Sequence, residues 1–199
     1  VVPAATFDGS DTRRLLSFLV APTSGPMLRG LTRSAVLARG LRFPVAGAPG
    51  VWQVEPYKIG LAAAGPVLGV PRPLYRRWHR EGSLTTDWAS GPLEPVVAGQ
   101  RLHCALALEI IGDAAASPAE KEALRFGLYL QAMRYVRRLE LRPPLANPTL
   151  PQALSPAFTG RAPVEALAGL EPDLRQQVAA AHAQLLFLEA RHAMGRGDP

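Results

Sequence analysis

Arg101-Leu102-His103-Cys104-Ala105-Leu106-Ala107-Leu108-Glu109-Ile110-Ile111 is the stretch on which the fold class turns. Every even position from Leu102 to Ile110 is apolar, while the odd ones include Arg101, His103 and Glu109. Alternation of that length is a strand signal, because successive strand side chains point to opposite faces. The Ala and Leu content leaves a helix as the competing reading, since both residues favour helices. Read as a strand, the stretch predicts an α+β fold, mostly helical, in which two long helices of the C-terminal half pack with a small sheet or hairpin. His103 then falls on the polar face, solvated or locally bonded rather than a ligand.

The helix after it has the clearest local signals in the chain. Ser117-Pro118-Ala119-Glu120 supplies a cap, a first-turn proline and the returning glutamate of a capping box, and no breaker intervenes before Pro143. Ala123, Leu124, Leu128, Ala132, Met133, Val136 and Leu139 recur at three and four residues, which defines one apolar face. Arg134, Arg138 and Arg142 fall four apart on another face, with Arg137 beside them. That basic stripe suits a helix C-terminus, where cations meet the negative end of the dipole. Four arginines exceed that need and make a ligand-facing role the second reading. Pro172 opens the last long helix, running through Met194 to Gly195, with Leu174, Val178, Ala181, Leu185 and Leu188 as a packing seam.

Working outward, Phe7-Asp8-Gly9-Ser10-Asp11 is a turn running into a short helix over Thr12 to Val20, capped by Ser10 or Asp11 and stopped by Pro22. A second short helix spans Ser34 to Ala38 and ends at Gly40. Leu41 to Val45 and Val51 to Val54 alternate across a Gly-Ala-Pro-Gly turn, which predicts a short hairpin. Thr85 to Pro95 reads as loop. Leu141 to Arg161 is broken by five prolines and reads as an irregular segment laid across the core. Pro163 to Leu170 is a third short helix. At 199 residues the whole chain, 1–199, is read as one compact domain.

The charge balance is 22 Lys and Arg against 16 Asp and Glu, a net +6, with a pI near 10.2. Lys58 and Lys121 are the two lysines, so the excess is arginine, whose planar fork suits phosphates and base edges. A genome rich in G and C favours the same residue. The lone Cys104 excludes an internal disulfide and argues against a cysteine zinc site. No apolar run is long enough for a transmembrane helix, and Val1 to Phe7 lacks the pattern of a signal peptide. The expected setting is cytoplasmic, with no membrane partner.

The densest chemistry lies in Leu61 to Leu84, LAAAGPVLGVPRPLYRRWHREGSL, where Arg72, Tyr75, Arg76, Arg77, Trp78, His79 and Arg80 fall within nine residues. With Leu68-Gly69-Val70 and Arg80-Glu81-Gly82 at about the family spacing, the stretch resembles the helix-turn-helix of excisionase-type and MerR-type DNA-binding proteins. The resemblance implies an Ala-rich first helix, a short turn and a second helix in the major groove, with Arg72, Arg76 and Arg77 facing DNA and Leu74, Tyr75 and Trp78 packing. Gly65-Pro66 departs from that pattern, since proline inside a helix costs about 3 kcal/mol. The same arginines, interleaved with Tyr75, Trp78 and His79, also suit phosphate contacts and stacking on unpaired bases. An Arg-rich solvated helix is the plain alternative.

Catalytic patterns are weak. Glu189-Ala190-Arg191-His192 has the spacing of one di-iron ligand pair, but such bundles need two pairs and two further glutamates. Adjacent His103 and Cys104 point apart on a strand, which is poor geometry for a nucleophile and its base. No nucleotide loop or nucleophile elbow is present. No cofactor and no metal is implied, although a scattered nuclease site using His79 or His103 stays open. The expected function is nucleic-acid binding, as a helix-turn-helix-like DNA-binding regulator or as an RNA-binding subunit of a ribonucleoprotein complex. The alternative is a structural or adaptor protein of a large assembly such as a phage particle. The expected contact set is Arg72, Tyr75, Arg76, Arg77, Trp78, His79, Arg80, Arg134, Arg137, Arg138 and Arg142, with DNA or RNA as partner and other protein subunits besides.

Overall fold

A computed structural model describes residues 6–21, 32–40, 51–69, 93–140 and 164–195, with only the backbone described at 39–40, 51–55, 93–97 and 138–140. Seven helices account for most of these residues: α1 (Asp11–Val20), α2 (Ser34–Gly40), α3 (Val51–Ala64), α4 (Leu93–Asp113), α5 (Pro118–Glu140), α6 (Val164–Ala168) and α7 (Pro172–Gly195). Among the described residues there is no strand and no sheet, so the α+β expectation gives way to an all-helical one. One isolated antiparallel bridge joins Phe7 to Val67, with reciprocal N–H to carbonyl bonds of 2.8 Å.

The 101–111 stretch is helical, inside α4. Its buried set is Gln100, His103, Cys104, Ala107, Ile110 and Ile111, spaced at three and four, while Leu102, Leu106 and Leu108 are half-buried. Because α4 packs against both α3 and α5, it needs a wide apolar arc. A wide arc meets period two and period 3.6 together, and Ala and Leu then decide for helix. The N-terminal part of α4 also takes in Leu93 to Pro95, where proline in the first turn removes a donor that lacks a helical partner anyway.

The hairpin is corrected as well. Val51 to Val54 form the first turn of α3, and Pro56 sits inside that helix; the other arm, 41–45, lies outside the described residues. A proline there costs about 3 kcal/mol, offset by the burial of Ile59, Leu61 and Ala62 farther along. α3 ends at Ala64, before Gly65-Pro66, and Val67 turns back to pair with Phe7, while the Gly69 N–H donates to Thr6 Oγ1 at 2.9 Å. The Ala-rich helix therefore stops short of Leu68-Gly69-Val70, where the helix-turn-helix pattern would end it.

α1 is the hub. Leu15, Leu16, Phe18 and Leu19 are fully buried, and the helix meets α3, α5 and α7. Its start follows the turn signal: Ser10 caps it by accepting from the Arg13 N–H at 3.2 Å. Gly9 holds a φ of +83°, in a region that favours glycine, and a Cβ there would lie 2.6 Å from Arg13 Cδ. At Gly127 on α5 a Cβ would stand 2.8 Å from Leu16 Cδ1, so the absent side chain sets how closely α1 and α5 approach. Phe7 packs edge-on against Phe18 at 5.8 Å, which ties the bridge to the core. The α7 seam is buried at Leu174, Val178, Ala181, Leu185 and Leu188, as its spacing predicts.

The capping box at the start of α5 closes both ways. Ser117 N–H donates to Glu120 Oε2 at 2.8 Å, and Glu120 N–H donates to Ser117 Oγ at 3.3 Å. The Ser117 backbone bond, then the Ser117 and Thr12 side chains, hold the Glu120 carboxyl below its usual pKa. A carboxylate depressed in the folded state contributes stability that is present above its unfolded pKa and lost as pH falls through the folded one. We expect Glu120→Gln to flatten the acid limb of a stability–pH curve without altering its neutral plateau's slope. An unchanged acid limb in urea midpoints between pH 5 and pH 2, about the range over which carboxylates titrate, would remove the box from the acid response.

Candidate nucleic-acid interface

The basic stripe of α5 divides. Arg134 is 4% exposed and turns its guanidinium inward. Nε donates to the Leu130 carbonyl at 3.1 Å, Nη1 to the Val20 carbonyl and to Gln184 Oε1 at 3.1 Å each, and Nη2 to the Leu19 carbonyl at 3.0 Å. Leu19 and Val20 are the last residues of α1, whose final carbonyls have no partner within the helix. Arg134 is thus a cap supplied from another helix, its guanidinium taken up by these bonds at the wall of an open groove between α1 and α7. Arg137 Nη2 stands 3.7 Å from Glu189 Oε1 on α7, a partly shielded pair that holds the two helices together. Arg138 belongs to α5 by its backbone, with its side chain outside the described set, and Arg142 lies outside it altogether.

The same device recurs. Arg14, also buried, donates from Nε to the Ala62 carbonyl at 3.1 Å and from Nη2 to the Ala63 carbonyl at 3.2 Å, at the end of α3, and pairs with Asp11. Lys121 Nζ donates to the Gly112 carbonyl at 2.7 Å, in the last turn of α4. None of α1, α3 and α4 has a basic residue in its own last turn. Each receives one from a neighbour, which satisfies exposed carbonyls and opposes the dipole at once. Arg13 joins Glu171 and Asp173 at the start of α7, and through that hydrogen bond it holds the Asp173 carboxyl below its usual range. Arg125 pairs with Glu122.

Arg72, Tyr75, Arg76, Arg77, Trp78, His79 and Arg80 lie outside the described residues, so the structure brings none of them to the stripe or away from it. The buried caps were missed from sequence because Arg134 sits at stripe spacing. The available signal was the lack of a cation in the last turns of three helices, which calls for one from elsewhere without naming it.

The remaining candidates are core residues. His103 is buried and its Nε2 stands 3.1 Å from Gln131 Oε1 on α5, a bond between helices rather than the polar-face position of a strand. Cys104 is buried beside Gln100, whose Nε2 stands 3.9 Å from Sγ, and burial pushes the thiol up to about 12. A thiol held that high is not a nucleophile at neutral pH. We expect Cys104 to resist an aromatic disulfide reagent in the native protein and to react promptly in urea; rapid labelling of the native chain would contradict its burial. Glu189 faces Arg137, and among the described residues no three His, Cys, Asp or Glu side chains gather to hold a metal. An open groove of about 580 Å³ runs between α1 and α7, lined by Phe7, Ser17, Gln177, Ala181 and Gln184 among others, with neither His nor Cys on its walls. Among the described residues no helix is long and apolar enough to cross a membrane.

No known protein family, characterised protein or solved structure matches the chain.

Proposed function

We propose that this protein binds nucleic acid through the arginine–aromatic stretch at 72–80, with Arg138 and Arg142 as further phosphate contacts. The observation that carries the reading is how arginine is apportioned. Arg13, Arg14, Arg125, Arg134 and Arg137 are engaged within the helical body, and the densest basic cluster of the sequence, interleaved with Tyr75, Trp78 and His79, is not needed for those roles. Arginine forks take phosphates and guanine edges, and aromatic rings take unpaired bases. The reading divides into a DNA-binding regulator and an RNA-binding subunit of a ribonucleoprotein complex. A second reading, a structural or adaptor protein in a large assembly, is favoured by one observation: the outer face of α7 exposes Leu186, Phe187 and Met194.

Exchanging Arg76 and Arg77 together for alanine tests the site. If these arginines read bases, discrimination between preferred and scrambled duplexes should fall by about 1 to 3 kcal/mol for each bidentate arginine–base pair removed. Phosphate-holding arginines would weaken all sequences alike and make the salt dependence shallower. Trp78→Ala separates a stacking ring, which costs single-strand affinity alone, from a packing one, which lowers the melting temperature. Native melting together with unchanged affinity for duplex DNA, single-stranded DNA and RNA in both variants would overturn the assignment.

A further inference from the structure

α7 is apolar on two opposite sides. Its inner seam is the buried one already described; the outer side carries Ala179, Ala183 and Ala190, all exposed, together with Leu186 at 53%, Phe187 at 61% and Met194 at 70% exposure. Ala179, Ala183, Leu186 and Ala190 follow one another at four, three and four residues, with Phe187 and Met194 one place beside that line. This is the spacing of a helix-packing seam, and a helix apolar on both sides is ordinarily covered on both. Small residues along the line let a second helix approach closely, between larger side chains that seat it.

The charges around the face decide what covers it. The two acids of α7 are already paired, Asp173 with Arg13 and Glu189 with Arg137. Arg175 and Arg191 flank the seam, both exposed, and their side chains make no ion pair among the described residues. They stand 16 residues apart, about 24 Å along a helix. From this we infer that the outer face of α7 docks an amphipathic helix of a partner protein, one with a leucine-type apolar seam and acidic residues toward both of its ends. The inference does not rest on the nucleic-acid reading.

Other occupants fit the charges less well. Residues 141–163 of this chain contain leucines and Phe158 but no acid, and bring Arg142 and Arg161. A second copy would bring the same two arginines, with its own α7 acids already paired to Arg13 and Arg137. An anionic membrane would satisfy the arginines, yet the bulky residues of the kind interfacial helices bury, here Leu186, Phe187 and Met194, are confined to the second half of α7, and the line before them is alanine.

The test uses the full chain and two fluorescently labelled designed helical peptides. Both carry leucine at alternating spacings of three and four; one has glutamates flanking the seam at the two ends, and the other has lysines there. We expect saturable anisotropy binding of the glutamate peptide, weaker by about tenfold or more for the lysine peptide, in line with the penalty for facing like charges across an interface. Phe187→Asp should abolish it. Arg175→Glu with Arg191→Glu should reverse the preference between the peptides, a readout that survives if Phe187→Asp proves poorly folded by circular dichroism. Equal binding of both peptides, or of neither, overturns the inference. It is equally overturned if the chain sediments as a dimer that Phe187→Asp dissolves, or floats with phosphatidylcholine–phosphatidylserine vesicles in a manner abolished in that variant.

Discussion

Replacing Arg134 with methionine is expected to lower the unfolding free energy by about 3 kcal/mol, because each buried acceptor left without its donor costs about 1 to 3 kcal/mol and two are involved. The two are the Leu19 and Val20 carbonyls at the buried end of α1, and the Gln184 amide loses its partner as well. Methionine keeps a long flexible stem, so the apolar packing of the side chain largely persists and the guanidinium is what the comparison removes. Lysine should recover part of the loss, since one ammonium cannot span the two carbonyls as the fork does. The measurement is urea denaturation with an unchanged m-value, beside nucleic-acid affinity of the folded variant in the absence of urea. A loss below about 1 kcal/mol, the net worth of a single ordinary hydrogen bond, would show that α1 does not depend on this cap. Reduced affinity at native stability would return Arg134 to the nucleic-acid interface.

What the sequence made legible was local. The Ser117–Glu120 box, the Ser10 cap, the α7 seam and the short helix at Ser34 all depend on residues within a few positions of one another, and all are found where their patterns put them. What failed was decided by neighbours. The 101–111 alternation is a true feature of the sequence, but α4 lies between α3 and α5 and tolerates apolar residues on most of its circumference. Val51 to Val54 looked like one arm of a hairpin, whereas the burial of Ile59 to Ala62 carries helix from Val51 through Pro56. Arg134 shows the same limit for the site. On the helix alone it belongs to a basic stripe with Arg138; only the placement of α1's last carbonyls turns it into a core residue.

That reassignment fixes how steeply nucleic-acid binding should fall with salt. If the phosphate-binding residues are Arg72, Arg76, Arg77, Arg80, Arg138 and Arg142, each phosphate neutralised adds about −0.9 to the log–log slope on duplex DNA, for a total near −5. Over the fourfold range from about 50 to 200 mM salt this amounts to a loss of roughly 10³ in affinity, and of roughly 300-fold on single strands, where each phosphate adds about −0.7. Counting Arg134 and Arg137 as well would steepen the duplex slope to about −7 and the loss to roughly 10⁴. The difference is measurable by fluorescence titration at several salt concentrations. A slope near −7 would mean that arginines beyond these six reach phosphate, either exposed ones such as Arg175 and Arg191 or Arg134 and Arg137, and the slope of Arg134→Met would tell the two cases apart. A slope shallower than about −2, the value for two phosphates, would leave the arginines at 72–80 without an electrostatic role and favour the adaptor reading. Between these bounds, Arg76→Ala with Arg77→Ala should reduce the slope by about 2, one unit for each phosphate no longer neutralised.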